Sequence, residues 1–311
     1  MSIAATIVAA SLMASATPTA PPEQRVYDEN FPDPHVVVDG ETFYAYATNG
    51  EAGNMPVIRS ADLHRWEAVG DAMPRLASWV FAGRTWAPGV IAVGDSFVAY
   101  YTASQLGTGL QCVGRAVAED PQGPFVDDTD APLVCQEDEG GSIDASPYRD
   151  ADGSLYLYWK NDGNCCGLDT WLYGQPLSDD GLSLTGEPTR LLVQDAEWEG
   201  SVIEAPFMWR HDDQRYLFYS GNAFDSAAYA VGYATCAGPL GPCEKAAENP
   251  ILSSSAAAEG PGHNSIVEFD GRSWIVYHAW PPNFFASSDV RTMWISELRW
   301  EDGRPVVDGP R

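Results

Sequence analysis

The sequence predicts an all-β fold, a five-bladed β-propeller with four antiparallel strands per blade. Three observations predict it: one strand–turn–strand pattern returns five times from residue 30 onward, the returns are evenly spaced, and no segment sustains a 3.6-residue apolar period. Each return joins a short apolar strand, a polar Gly- or Asp-containing turn, and a strand dense in aromatics. The five units run His35 to Tyr46, Gly89 to Tyr101, Pro147 to Trp159, Pro206 to Tyr219 and Ser265 to His278. With Pro34, Pro88, Pro147, Pro206 and Ser265 as matching points, the intervals are 54, 59, 59 and 59 residues.

A third strand follows in each unit, at Val57-Ile58, Cys112 to Val117, Trp171 to Tyr173, Tyr229 to Ala234, and Met293 to Leu298. Turn-forming text such as Asp179-Asp180-Gly181, Gly238 to Pro242 and Glu301-Asp302-Gly303 then leads to a fourth. A β-sandwich is the alternative, but it gives no reason for a regular period near 59. The domain reading is residues 1–22 as leader and linker and residues 23–311 as one propeller.

Composition agrees and limits the partners. Aromatic residues make up 12% of 311, with 11 Trp and 14 Tyr, and 29 Gly and 23 Pro are spread through the chain. A formal charge of −27, with lysine only at Lys160 and Lys245, repels phosphate backbones, anionic membranes and acidic polysaccharides. Neutral substrates remain open, and the chain is expected to be a monomer.

Ile3 to Ala14 is an alanine-rich apolar run followed by Ala14-Ser15-Ala16, the small-x-small form of a cleavage site, so a secretory signal peptide and a secreted protein are expected. Met1-Ser2 lacks the usual basic residues, and the run is too short to span a bilayer. Six cysteines fit an exported chain. Cys236 and Cys243 bracket a turn-rich loop and Cys112 and Cys135 flank one hairpin, whereas the adjacent Cys165 and Cys166 leave a vicinal bond, two distant bridges or free thiols open.

In a propeller, the loops leading into the first strand of every blade gather at one mouth of the central channel, so chemistry is expected there. Four of the five units carry an ionisable residue in this position. Asp33 lies between Pro32 and Pro34, Asp144 in Ser142 to Pro147, Glu204 in Val202 to Pro206, and His263 in Gly262-His263-Asn264; the second unit has Trp86-Ala87-Pro88 instead. An Asp between two prolines has a pinned backbone and an aimed carboxylate. Three carboxylates facing one channel repel and lose hydration, so at least one should hold its proton near neutral pH. A protonated acid beside an ionised carboxylate is the pair that glycosidic hydrolysis needs. A calcium cage also gathers carboxylates, but this Glu and two Asp flanked by aromatics suit a sugar better.

At these residues the chain resembles glycoside hydrolase family 43, through Phe31-Pro32-Asp33-Pro34, Thr85 to Pro88, Ile143 to Pro147, Glu204-Ala205-Pro206 and Gly262 to Ser265, across residues 30 to about 308. The resemblance implies a five-bladed propeller that cleaves arabinofuranosides, xylosides and related links with inversion. It implies Asp33 as general base, Glu204 as general acid, and Asp144 as the residue that orients Glu204 and raises its pKa. It also implies Phe31 and Trp86 as aromatic walls beside the first sugar, Arg291 reaching back to the pocket, and His263 near the channel axis, where some members hold a structural calcium that the chemistry does not require. The retaining sucrose and fructan hydrolases fit less well, since Asp33 follows Pro32 rather than Asn, Ala151 follows Arg149-Asp150, and Ala205 follows Glu204. An exo-acting α-L-arabinofuranosidase is the expected activity. Endo-arabinanase, β-xylosidase, galactofuranosidase and a non-catalytic glycan-binding propeller are the alternatives.

Overall fold

The computed structural model describes residues 24–283 and 290–311, and the expected leader at residues 1–22 lies outside them. Five antiparallel sheets follow one another along the chain. The first strand, β1 (Arg25–Tyr27), belongs to the last sheet. Blade one is β2 (His35–Asp39), β3 (Thr42–Tyr46), β4 (Pro56–Ser60) and β5 (Glu67–Asp71). Blade two is β6 (Val80–Val93), β7 (Ser96–Gln105) and β8 (Gln111–Ala118). Blades three and four are β9 (Ser142–Arg149) to β12 (Thr189–Val193) and β13 (Ile203–His211) to β16 (Cys243–Lys245). Blade five is β17 (Glu259–Phe269), β18 (Arg272–Trp280) and β19 (Thr292–Glu301), with β20 (Arg304–Val307) along one half of β19 and β1 along the other. The N-terminal strand thereby closes the ring.

The expected four strands per blade hold except in blade two. There β8 meets isolated bridges instead of a fourth strand, Gln111 to Gly141, Val113 to Val134 and Val117 to Val126. Pro124 and Pro132, which lack amide protons, interrupt the segment that would have formed a continuous fourth strand.

Apolar burial lies between neighbouring blades. One cluster, with Tyr46, Trp79 and Phe125, joins blades one and two; others join each following pair, and Phe31, Val36, Ile58, Val276 and Met293 join blade five to blade one. The tyrosine-rich second strands add a polar stitch. Tyr46, Tyr100, Tyr158 and Tyr216 each reach across to the next blade and donate to a turn carbonyl, of Pro121, Gly181, Pro239 and Gly303, at 2.6, 2.5, 2.7 and 2.6 Å. Buried phenols need such partners, and these ones fix the blade spacing.

Three disulfides form. Cys236–Cys243 links paired residues of β15 (Ala230–Cys236) and β16, Cys112–Cys135 ties β8 to the segment covering its edge, and Cys165–Cys166 bonds the adjacent pair. No helix among the described residues is long and apolar enough to cross a membrane.

Candidate active site

The site is built from one backbone device repeated five times. Where the first strand of blades two to five leaves the channel mouth, its pairing with the second strand skips a residue, and in blade one the Thr48 N–H bond to Pro32 O beside the His35–Tyr46 pair sets the same offset around Asp33. Trp86 pairs Thr102 but Gly89 pairs Tyr100, Ile143 pairs Lys160 but Ser146 pairs Tyr158, Glu204 pairs Ser220 but Phe207 pairs Phe218, and Gly262 pairs His278 but Ser265 pairs Val276. Each skip is a β-bulge, which re-aims side chains and breaks the ladder locally. The residue inside the bulge has positive φ in every blade: Asp33 58°, Ala87 43°, Asp144 59°, Ala205 54° and His263 49°. A left-handed backbone costs a residue with a Cβ about 1–2 kcal/mol, so the surroundings must hold it.

They do so by capturing the bulge amide with a side chain from the end of the second strand of the preceding blade or, for Thr48, from just beyond it. Ala87 N–H donates to Thr48 Oγ1 at 2.9 Å, Asp144 N–H to Thr102 Oγ1 at 3.1 Å, His263 N–H to Ser220 Oγ at 2.8 Å, and Asp33 N–H to His278 Nδ1 at 3.1 Å. Blade three breaks the series. Lys160 stands in the acceptor position and has no lone pair to offer, and the Ala205 amide donates instead to Asp144 Oδ2 at 3.0 Å.

This geometry corrects the matching points. Bulge residues 33, 87, 144, 205 and 263 are separated by 54, 57, 61 and 58 residues, so Ala145 and Asn264, not Pro147 and Ser265, correspond to Pro34. Asp33, Asp144 and His263 share one structural position, and Glu204 stands one residue earlier, at the level of Trp86 and Ile143.

The acidic trio does converge. A cavity of about 410 Å³ is lined by Asp33, Asp144 and Glu204, with Thr48, Trp86, His263 and Arg291 around them. Phe31 is not on its wall. It is 1% exposed and packs edge-on against Tyr27 in the seam between blades five and one, because alternation along the chain turns it away from the channel. Trp86 does line the cavity, and Phe224, an aromatic that sequence reasoning missed, lines it too.

The carboxylates have different surroundings. Asp33 Oδ2 accepts from Thr48 Oγ1 at 2.5 Å, and Oδ1 faces Arg291 Nη1 at 2.9 Å and the Nδ1 atoms of His263 and His278 at 3.3 Å each. Burial alone would raise its pKa, but the Arg291 guanidinium first, and His263 after it, outweigh that and hold it well below the ordinary 3.8. His278 is neutral at physiological pH, lowered to about 4 by burial and then by Arg291. Its Nδ1 is therefore free to accept the Asp33 amide, and its ring stacks on Tyr229 at 5.8 Å.

Glu204 is held at both oxygens. Tyr229 donates to Oε1 at 2.7 Å, and Lys160, fully buried, approaches Oε2 at 3.2 Å while donating to Asn164 Oδ1 at 2.6 Å. Asp144 is raised to about 6, by burial first and the nearby Glu204 charge next, against the opposing pull of His263. Asp162 is likewise raised to about 6 by burial. One aspartate is thus kept ionised, and two others hold their protons up to about pH 6.

Behind the trio, a cavity of about 10 Å³ on the channel axis is lined by His35, Ser146, His263 and Asn264 among others. Ser146 Oγ and both Asn264 side-chain atoms are buried there without partners. Among the described residues no three His, Cys, Asp or Glu are grouped to hold a metal. So small a space takes one water molecule, for which Ser146 and Asn264 offer partners, whereas a calcium needs about 6–8 oxygens and would find one carboxyl there, that of Asp144.

The glycosyl hydrolases family 43 profile matches residues 24–305. The chain belongs to glycoside hydrolase family 43. This family-43 chain is therefore a glycosidase. It is 25% identical over 310 residues to the extracellular exo-α-(1→5)-L-arabinofuranosidase ArbA of Cellvibrio japonicus, covering 89% of the chain and 86% of that protein. It is 28% identical over 174 residues to the β-D-galactofuranosidase xynD of Aspergillus niger, where it covers 55% of the chain but only 47%, about half, of the relative. Among solved structures, a thermostable family-43 glycoside hydrolase superposes with a TM-score of 0.82 at 31% identity, covering 93% of this chain and 96% of the other. An endo-1,4-β-xylanase from Bacteroides thetaiotaomicron gives 0.78 at 31% identity, covering 91% and 96%.

Proposed function

We propose that this glycosidase is a secreted, inverting, exo-acting α-L-arabinofuranosidase in which Asp33 is the general base and Glu204 the general acid. The observation that carries the reading is that Asp33 and Glu204 line one cavity, Asp33 held ionised beside Arg291 and Glu204 with its two oxygens fixed separately by Tyr229 and Lys160. Asp33 takes a proton from a water molecule whose oxygen attacks the anomeric carbon. The bond from that carbon to the leaving oxygen breaks as Glu204 donates a proton to it. Asp144 acts through the backbone: its hold on the Ala205 amide fixes the strained residue beside Glu204. Trp86 offers the apolar wall for the sugar. No step passes through a metal.

The sugar is read from ArbA, one of the relatives matched over most of both chains. Secretion is supported by three disulfides and by that relative's extracellular name. Hydrolysis of aryl α-L-arabinofuranoside, β-xyloside and β-galactofuranoside by wild type and Asp33→Ala tests the reading. The arabinofuranoside should be cleaved fastest, and only by wild type. Equal inertness of both proteins across the panel would remove it, and preference for another sugar would move it to that sugar.

A further inference from the structure

Two of the three disulfides have evident structural work. Cys112 and Cys236 are buried, and each bond joins separate stretches of chain. Cys165–Cys166 differs on both counts. Both cysteines are exposed, and a bond between neighbours closes no loop, so the chain-entropy stabilisation that disulfides usually supply is at its minimum. What this bond does supply is a surface, and Cys165 lines the same cavity as Asp33, Asp144 and Glu204.

That surface is firmly placed. The bonded pair ends a 3-10 turn, Gly163–Cys166, in the connection from β10 (Leu155–Asn161) to β11 (Trp171–Pro176). Asp162 N–H donates to Gly141 O at 3.0 Å, Leu168 N–H to Gly163 O at 2.9 Å, and Asn161 Nδ2 to Asp169 O at 3.0 Å. A Cβ at Gly140 would lie 3.1 Å from Cys165 Sγ and 2.6 Å from Asp162 O, so the turn sits directly on backbone. Lys160 Nζ then ties the turn to the acid, bonding Asn164 Oδ1 on one side and Glu204 Oε2 on the other. The connection from β14 (Gln214–Gly221) to β15 is tied to the same acid through Tyr229, and it carries Phe224, 45% exposed, on the cavity wall.

We propose that the Cys165–Cys166 disulfide and Phe224 form the leaving-group subsite of the enzyme, taking the apolar face of a neutral sugar next to the scissile bond. The inference rests on Glu204 being the acid, because the leaving oxygen departs toward the proton donor and segments fastened to that donor stand on its side. A polarisable sulfur pair and an aromatic ring suit the C–H face of an uncharged pyranose or furanose, and the chain's strong negative charge disfavours an anionic one.

The test compares α-1,5-linked arabinotriose with methyl α-L-arabinofuranoside, whose leaving group is a single carbon. For Cys165→Ala/Cys166→Ala, kcat/KM on the trisaccharide should fall roughly five- to ten-fold more than on the methyl glycoside, with the difference in KM. Phe224→Ala should show the same differential. If the double variant folds poorly, selective reduction and alkylation of the exposed pair in the wild-type enzyme should give the differential instead. Equal losses on both substrates, or none on either, overturn the proposal. A wild type that cleaves neither these nor xylotriose and methyl β-xyloside overturns the catalytic reading as well, and that failure shows before any variant is made.

Discussion

Lys160 Nζ lies 3.2 Å from Glu204 Oε2, in the ring position where the other four blades present Thr48, Thr102, Ser220 and His278 as acceptors for a bulge amide. One substitution in a five-fold device thus does two things. It places a cation against the acid, and it hands the Ala205 amide to Asp144.

Lys160→Thr should therefore restore the structural pattern at the expense of the site. Thr can accept the Ala205 amide and release Asp144, while Glu204 and Asn164 lose their shared donor. We expect a well-folded protein whose kcat falls roughly ten- to hundred-fold, read by steady-state kinetics beside a thermal melt. Wild-type kcat in the variant would show that the cation is incidental.

Arg291→Ala removes the strongest cation from Asp33, 2.9 Å from Oδ1, with His263 and His278 left. A lowered carboxylate pKa stabilises the fold above the unfolded value and loses that contribution as pH falls through the folded one. Losing Arg291 raises the folded value toward 3.8, so acid unfolding should begin at higher pH and the acid limb of the rate profile should move up with it. A rate profile that stays in place would count against Asp33 as the ionised base.

Much of this was legible in the sequence, and the reasons differ by element. The blades were visible because each pairs a Gly or Asp turn with an aromatic second strand, and the tyrosines there reach the next blade. The trio and His263 were found because they stand at the entry to each blade's first strand, and Arg291 was found through the family resemblance. Thr48, Lys160, Tyr229 and His278 were missed, since they sit at the ends of apolar strands and loops, where a lone polar residue looks like the solvent edge. A signal was present: Thr48, Thr102, Lys160, Ser220 and His278 each stand two residues after the equivalent of Tyr46, and only one of them cannot accept a hydrogen bond. The bulges hid the register, because an inserted residue shifts the phase without changing composition. Phe31 was misread for the opposite reason: it abuts the motif in sequence but faces the core.

Asp144→Asn isolates the raised carboxyl. Between pH about 4 and about 6 the folded protein keeps a proton on Asp144 that the unfolded chain releases, so stability falls as pH rises through that window. Asp162 adds a parallel decline. The variant keeps an oxygen for the Ala205 amide and should show a shallower decline in urea unfolding free energy from pH 4 to 7. Identical slopes for both proteins would mean that Asp144 does not hold its proton.

Trp86→Ala should raise KM on every substrate, by roughly five- to ten-fold, with a smaller effect on kcat, because a stacking wall binds ground and transition states alike. A loss confined to kcat would place Trp86 in the chemistry instead of the wall.

The central claim is that Asp33 activates water and Glu204 supplies the proton. Proton NMR of the first sugar released, recorded before mutarotation, tests it most directly. The account predicts the anomer opposite in configuration to the substrate; a first product of retained configuration would make Asp33 a nucleophile and contradict it.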